Sequence, residues 1–274
     1  MIDSAQFKVI SATQRRRVRG FSLTEAIMVI VITGILASMV AVFIQKPVQG
    51  FFDTARRAAL VDAADTVLRR MSRDLRDALP NSVRSSTPTA LEFLHVRSAG
   101  RYREQGPGNP LDFTANDTSF DVLGPGVSVQ NADSIVVYNL GVTGSDAYEG
   151  TSTSRRLAAA PFGASLTNVT ITSAAAFAFA SPAKRFQVVD TPVSYGCSGT
   201  QMRRYAGYAI APGQPVPPAG TGALIADKIA TGGCSFAYAA GPSQREALVT
   251  LNLTLTDSGE TVSLVYQIHV NNAP

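Results

Sequence analysis

The stretch Arg15-Arg16-Arg17-Val18-Arg19-Gly20-Phe21-Ser22-Leu23-Thr24-Glu25, followed by the uncharged run Ala26–Ile44 (AIMVIVITGILASMVAVFI), decides how the other residues of this 274-residue chain are read. Basic residues come first, then a glycine, then Phe21, and Glu25 is the only acidic residue of the stretch. As α-helix, the run from Ala26 to Ile44 covers roughly 28 Å at ~1.5 Å per residue, close to the ~30 Å hydrocarbon thickness of a bilayer. Arginines ahead of such a run stay in the cytoplasm, which sends the bulk of the chain to the far side. A secretory signal peptide, or a plain signal anchor, explains less. A signal peptide has a short apolar run and a small-residue cleavage site after it; here Ala37-Ser38-Met39 lies inside the run. A carboxylate at the edge of a membrane segment is costly, and so points to function.

The formal charge of +4 invites a nucleic-acid reading, but it resides in the first twenty residues. Lys8, Arg15, Arg16, Arg17 and Arg19 stand there against Asp3, leaving 19 basic and 19 acidic residues after Gly20. The basic balance therefore reports membrane orientation, and no nucleic-acid partner is expected.

Gly20-Phe21-Ser22-Leu23-Thr24-Glu25 ahead of an apolar helix resembles the class III signal of type IV prepilins and type II secretion pseudopilins. The resemblance implies cleavage after Gly20 by a prepilin peptidase, N-methylation of Phe21 and a role for Glu25 in assembly. Gly34 falls where the family often has a helix-loosening glycine. The family's common proline near Val42 is absent, and Pro47 follows five residues later. Pro47 lacks an N–H and crowds the carbonyl of Phe43, predicting a kink or brief break there. Two further stretches, Arg73–Arg84 and His269–Pro274, resemble the large minor pilins of mannose-sensitive haemagglutinin (MSHA) pili. Around the helix, the J-type minor pseudopilins of type II secretion are also similar.

The expected organisation is a leader over residues 1–20, a transmembrane helix over 21–46, an amphipathic periplasmic helix over 47–81 and a β-rich head over 82–274. In the second helical segment Leu60, Ala64, Leu68, Met71, Leu75 and Leu79 recur at spacings of three and four, one apolar face. Asp65 with Arg69, Arg70 with Asp74 and Arg73 with Asp77 are i,i+4 pairs on the other face, and read as a solvated surface. Pro80 and Asn81 mark the helix end.

Leu91–Val96, Ser134–Leu140, Asn168–Thr172, Arg185–Val189, Met202–Ile210 and Ala223–Ile229 are candidate strands. The segments RSAGRYREQGPGNP (97–110) and GVTGSDAYEGTSTS (141–154) read as loops, as does the Pro-rich APGQPVPPAG despite its PxxP spacing. The strongest β signal comes last. Val249, Leu251, Leu253 and Leu255 alternate, Asp257-Ser258-Gly259 turns, and Val262–Val270 returns as a hairpin. A sheet with one apolar face can cover the helix stripe, giving an α+β fold: a long N-terminal helix on an antiparallel head.

Cys197 and Cys234 are the only cysteines, so the pairing is forced if a bridge forms. An oxidising compartment favours that bridge over two unrelated buried thiols. No HExxH, GxSxG, Walker A or dinucleotide glycine motif is present. Ser198 sits in a Gly-Cys-Ser-Gly turn too short for a nucleophile elbow, and His95 and His269 fall in expected strands as packed or surface residues. Asn116-Asp117 and Asn131-Ala132-Asp133 lie in loops of the kind that hold calcium, but EF-hand spacing is absent. No catalytic group, metal site or cofactor is expected. The resemblance implies a single-pass inner-membrane protein with a periplasmic head, whose partners are other pilin subunits, the prepilin peptidase and the assembly machinery. A membrane-anchored periplasmic enzyme or binding protein is the alternative of another class.

Overall fold

One helix, α1 (Leu23–Arg76), carries both the apolar run and the amphipathic stripe. The computed structural model describes residues 20–150, 153–172, 175–240 and 246–274; residues 1–19 of the expected leader lie outside the described residues. The chain forms two units, Met1–Asp53 and Thr54–Pro274.

In the first unit, every residue from Ile27 to Ile44 is exposed. The run is apolar all the way round, as befits a helix solvated by hydrocarbon rather than by one side of a protein core. Its most apolar 18-residue window has a mean hydropathy of 2.9 and no residue buried within the protein. α1 is uninterrupted at Pro47, so the expected break is not found. Proline removes a single backbone donor, and the turns on either side retain theirs.

The second unit begins with the helix stripe. Leu60, Ala64, Leu68, Met71 and Leu75 are all buried, joined by Val67. α1 ends at Arg76, sooner than Pro80-Asn81 suggested. The reason is a competing partner: Leu79 N–H donates to Leu94 O (2.8 Å) and Val96 N–H to Asp77 O (2.8 Å), so residues 77–79 run along a strand.

The described strands are β1 (Arg84–Thr87), β2 (Ala90–Tyr102), β3 (Ser119–Leu123), β4 (Val127–Val129), β5 (Ser134–Val136), β6 (Arg155–Ala159), β7 (Gly163–Leu166), β8 (Asn168–Ile171), β9 (Arg185–Ser198), β10 (Gln201–Ala206), β11 (Ala223–Ala226), β12 (Ile229–Ala240), β13 (Glu246–Asp257) and β14 (Glu260–Asn271). One sheet runs β1-β2-β3-β8-β6-β5-β9-β10-β11, and β2 also pairs with β9. The pairings β2-β3-β8-β6-β5-β9 thus close on themselves, all antiparallel. Closure removes open edges. Tyr102, Phe120, Ile135, Val169, Phe186 and Val188 belong to one buried cluster supplied by those strands. Phe120 and Phe186 meet edge to face at 5.0 Å, a favoured aromatic geometry. A ribbon of β4 with β7 adds Val127 and Val129 to that cluster.

The second sheet is β12-β13-β14. Val249, Leu251, Leu253 and Leu255 of β13 join the helix stripe and Leu91, Phe93, Val193 and Tyr195 of the larger sheet in a second buried cluster. The predicted hairpin is present, with Asp257 paired to Glu260 across its turn.

Three sequence expectations need correction. The segment 97–110 is not all loop, because β2 continues through Tyr102. Gly100 there is a close-approach residue, not a breaker: a Cβ on it would lie 2.9 Å from the Phe186 ring and from Val127 Cγ1. The strand expected over Ser134–Leu140 stops at Val136, shortly before Tyr138 adopts φ +52°. The strand expected over Met202–Ile210 stops at Ala206, and Gly207 has φ +79°. Left-handed residues turn the chain out of a ladder.

Candidate functional site: the N-terminal helix start and its head

Gly20 and Phe21 precede α1 and are exposed, Phe21 at 76%. Ser22 is the N-cap. Its Oγ accepts a hydrogen bond from Glu25 N–H at 3.2 Å, and its carbonyl accepts one from Ala26 N–H at 3.1 Å. Ser22-Leu23-Thr24-Glu25 therefore has the S-x-x-E order of a capping box. The carboxylate of Glu25 stands in the first turn of α1, where the helix dipole favours negative charge. Farther along, Thr33 Oγ1 donates to Val29 O (2.6 Å) and Ser38 Oγ to Ile35 O (2.8 Å). Those hydroxyls are satisfied by their own helix, as an apolar surrounding demands. Gly34 is open: a Cβ there would meet nothing within 4 Å.

In the head, Cys197 and Cys234 are joined by a disulfide with Cα atoms 6.2 Å apart. It ties the end of β9 to β12, hence one sheet to the other. Asp74 of α1 leaves its expected partner Arg70 for the head: Arg204 Nε donates to it at 2.6 Å and Tyr195 O–H at 2.8 Å. Asp65 and Arg69 do pair along the helix, at 2.7 Å. Glu92, with its side chain 1% exposed, accepts from Arg84 at 2.6 Å, and Arg84 also reaches Ala211 O (2.9 Å) and Pro212 O (2.6 Å). The Arg84 guanidinium lies 3.5 Å from the centre of the Tyr148 ring. That group pins the start of the Pro-rich segment.

His95 Nδ1 and Asp190 Oδ1 are 2.8 Å apart, and Arg97 bridges Asp190 (3.3 Å) and Asp133 (2.9 Å). The hydrogen bond to Asp190, opposed by partial burial, holds the His95 pKa above its ordinary value of 6.5. Burial works against ionisation of Asp190, but its bonds to His95 and the Thr191 N–H prevail and lower its pKa. Asp133 is thus an ion-pair residue, and Asp117 Oδ2 accepts from Asp112 N–H. Among the described residues no group of three or more His, Cys, Asp or Glu is placed to hold a metal.

Residues 15–41 match the family model for the prokaryotic N-terminal methylation motif. The motif indicates a type IV pilin or pseudopilin. No curated protein and no solved structure matches the chain. Pilins with this motif are structural proteins, and the motif implies processing by a prepilin peptidase and assembly with other pilins. The matched segment holds Gly20 and Phe21 just ahead of α1 and Glu25, Ala26 and Gly34 within it; Ile44 and Pro47 lie just beyond the match, and Cys197 and Cys234 belong to the head. Sequence reasoning passed over Ser22. The S-x-x-E pattern before an apolar run was the available signal.

Proposed function

We propose that this protein is a minor type IV pilin of the MSHA-like kind: a non-enzymatic fibre subunit, inserted once through the inner membrane with its head in the periplasm. The observation that carries this reading is the methylation motif at 15–41 overlapping the start of a helix that is apolar and exposed from Ile27 to Ile44. An apolar run of that kind calls for lipid first and neighbouring helices later. Processing after Gly20 would leave Phe21 as the N-methylated first residue, just ahead of the Ser22 cap. Glu25 would then meet the terminal amine of a neighbouring subunit in the fibre core. In a dry core a lone carboxylate and a lone ammonium are each expensive, and pairing offsets much of that cost.

The two stretches that carry the MSHA-like resemblance come together in space. Asn81 N–H donates to Asn272 Oδ1 (3.2 Å), and Asn81 Nδ2 donates to Asn272 O (3.1 Å) and Asn139 O (2.9 Å). Asn139 Nδ2 answers with a bond to Pro80 O at 2.7 Å. Residues from the helix exit and from the last residues of the chain are thus one latch. The same motif serves a minor pseudopilin of a type II secretion system, which is the second reading.

Intact-mass measurement of protein extracted from membranes tests the proposal. The expected species begins at N-methylated Phe21. A chain still beginning at Met1 in cells with an active prepilin peptidase would instead support an anchored enzyme or binding protein.

A further inference from the structure

A cleft of about 440 Å³ opens beside the closed ring of strands, lined by Ser134 of β5, Arg155 and Leu157 of β6, Asp190 and Thr191 of β9, and the turn Gly207–Ile210. Its volume falls within the range of small-molecule sites. The charges around it are unevenly satisfied. Asp190 is taken by His95 and Arg97, and Asp133 by Arg97. Arg155 differs: its Nε is buried, and among the described residues it has no hydrogen-bond partner. The neighbouring Arg156 shows what a settled arginine does here, since its guanidinium donates to Ala175 O and Ala176 O and faces the Phe177 ring. A buried donor left unpaired costs stability, and a guanidinium fork at a cleft wall is suited to a carboxylate.

We propose that this cleft binds a small carboxylate ligand through Arg155. The ligand's acid group pairs with the guanidinium fork, which turns slightly so that Nε also gains an acceptor. Ser134 offers a hydroxyl to a polar body, and Leu157, Ala209 and Ile210 offer an apolar wall. Asp190 faces the same space, yet one of its oxygens is held by His95 and the Thr191 N–H (2.7 Å) and the other by the Arg97 guanidinium. It therefore repels an incoming carboxylate less than a free aspartate would. This site is independent of the fibre-subunit reading, because it lies wholly in the head.

The test is isothermal titration calorimetry on the full chain in detergent micelles. The probes are glucuronate, which has a polyhydroxylated body, and N-acetyl-leucine, which has an apolar one; glucose and N-acetyl-leucinamide, which lack the carboxylate, serve as neutral controls. The proposal requires saturable binding of at least one acid and none of its control, and the stronger acid identifies the body the cleft prefers. Arg155→Met should weaken that binding by about tenfold or more, with Arg155→Lys in between, because a lysine keeps the charge and loses the fork. Leu157 is 51% exposed, so Leu157→Asp tests the same point without disturbing the core: a new carboxylate at the wall should abolish binding. Equal binding of acids and controls, no saturable binding, or binding unchanged in Leu157→Asp would overturn the proposal.

Discussion

The two halves of α1 are built from similar apolar residues and treat them in opposite ways. Ile30, Val40 and Phe43 are 69%, 54% and 80% exposed, whereas Val67 and Met71 are fully buried. The difference lies in periodicity. The first half is apolar around its whole circumference, so no single protein face can cover it. The second half keeps its apolar residues to one stripe and sets Asp65, Arg69 and Arg73 among the others. A helix can thus change solvent midway through a change of pattern, with no change of secondary structure.

The largest effect expected from breaking this contrast is on assembly. Glu25→Val should leave membrane insertion and cleavage largely intact while sharply reducing the subunit in sheared fibre fractions relative to membranes, by immunodetection. Wild-type recovery of the variant in fibres would mean that no charge pair at Glu25 directs docking. Next comes a matched pair of truncations. Met71→Ala should destabilise the head by about 2–5 kcal/mol, the usual cost of emptying a packed core site. Val40→Ala should leave the same denaturant midpoint unchanged, since Val40 is exposed and belongs to none of the buried clusters of the head. Equal effects would erase the distinction between the halves.

A somewhat smaller change is expected from the double replacement Cys197→Ser, Cys234→Ser. The bridge spans 37 positions, and losing such a loop constraint costs about 2–4 kcal/mol. The denaturant midpoint of the oxidised wild type against the double variant reads this out, and identical midpoints would remove the bridge from the account of stability. The smallest effect concerns His95. Its raised pKa means that the contribution to stability is fully present below the unfolded value near 6.5 and is lost as pH rises through the folded value. Asp190 has a lowered pKa, so its contribution is present above the unfolded value and is lost as pH falls through the folded one. The stability gap between wild type and His95→Gln should therefore shrink as pH rises from the unfolded value near 6.5 through the raised folded value, by roughly 1 kcal/mol or less. A gap that widened would assign the pair the wrong sign.

How much was legible beforehand follows from which interactions are local. The apolar run, the stripe from Leu60 to Leu75 and the alternation from Val249 to Leu255 each repeat within one element, so periodicity reveals them. Asp74 was misassigned to Arg70 because spacing along a helix is visible in sequence and Arg204, 130 positions away, is not. Gly100 misled for a similar reason: its missing side chain makes room for Phe186, a neighbour known only after folding. At the candidate site, the motif around Gly20 is a run of consecutive residues and reads directly. The cleft at Arg155 gathers residues from β5, β6 and β9 and had no linear signature.

The Asn81–Asn272 latch has a mechanical consequence. Asn81 lies five positions beyond the last residue of α1, and Asn272 directly follows β14, which is laddered to β13 along its whole length. Asp74, held by Tyr195 and Arg204, fastens the same stretch to the larger sheet. A pull transmitted through α1 is therefore handed at once to both sheets and to the final strand, and the disulfide links those sheets in turn. Under tension the yield point of the head is set by several bonds giving way together.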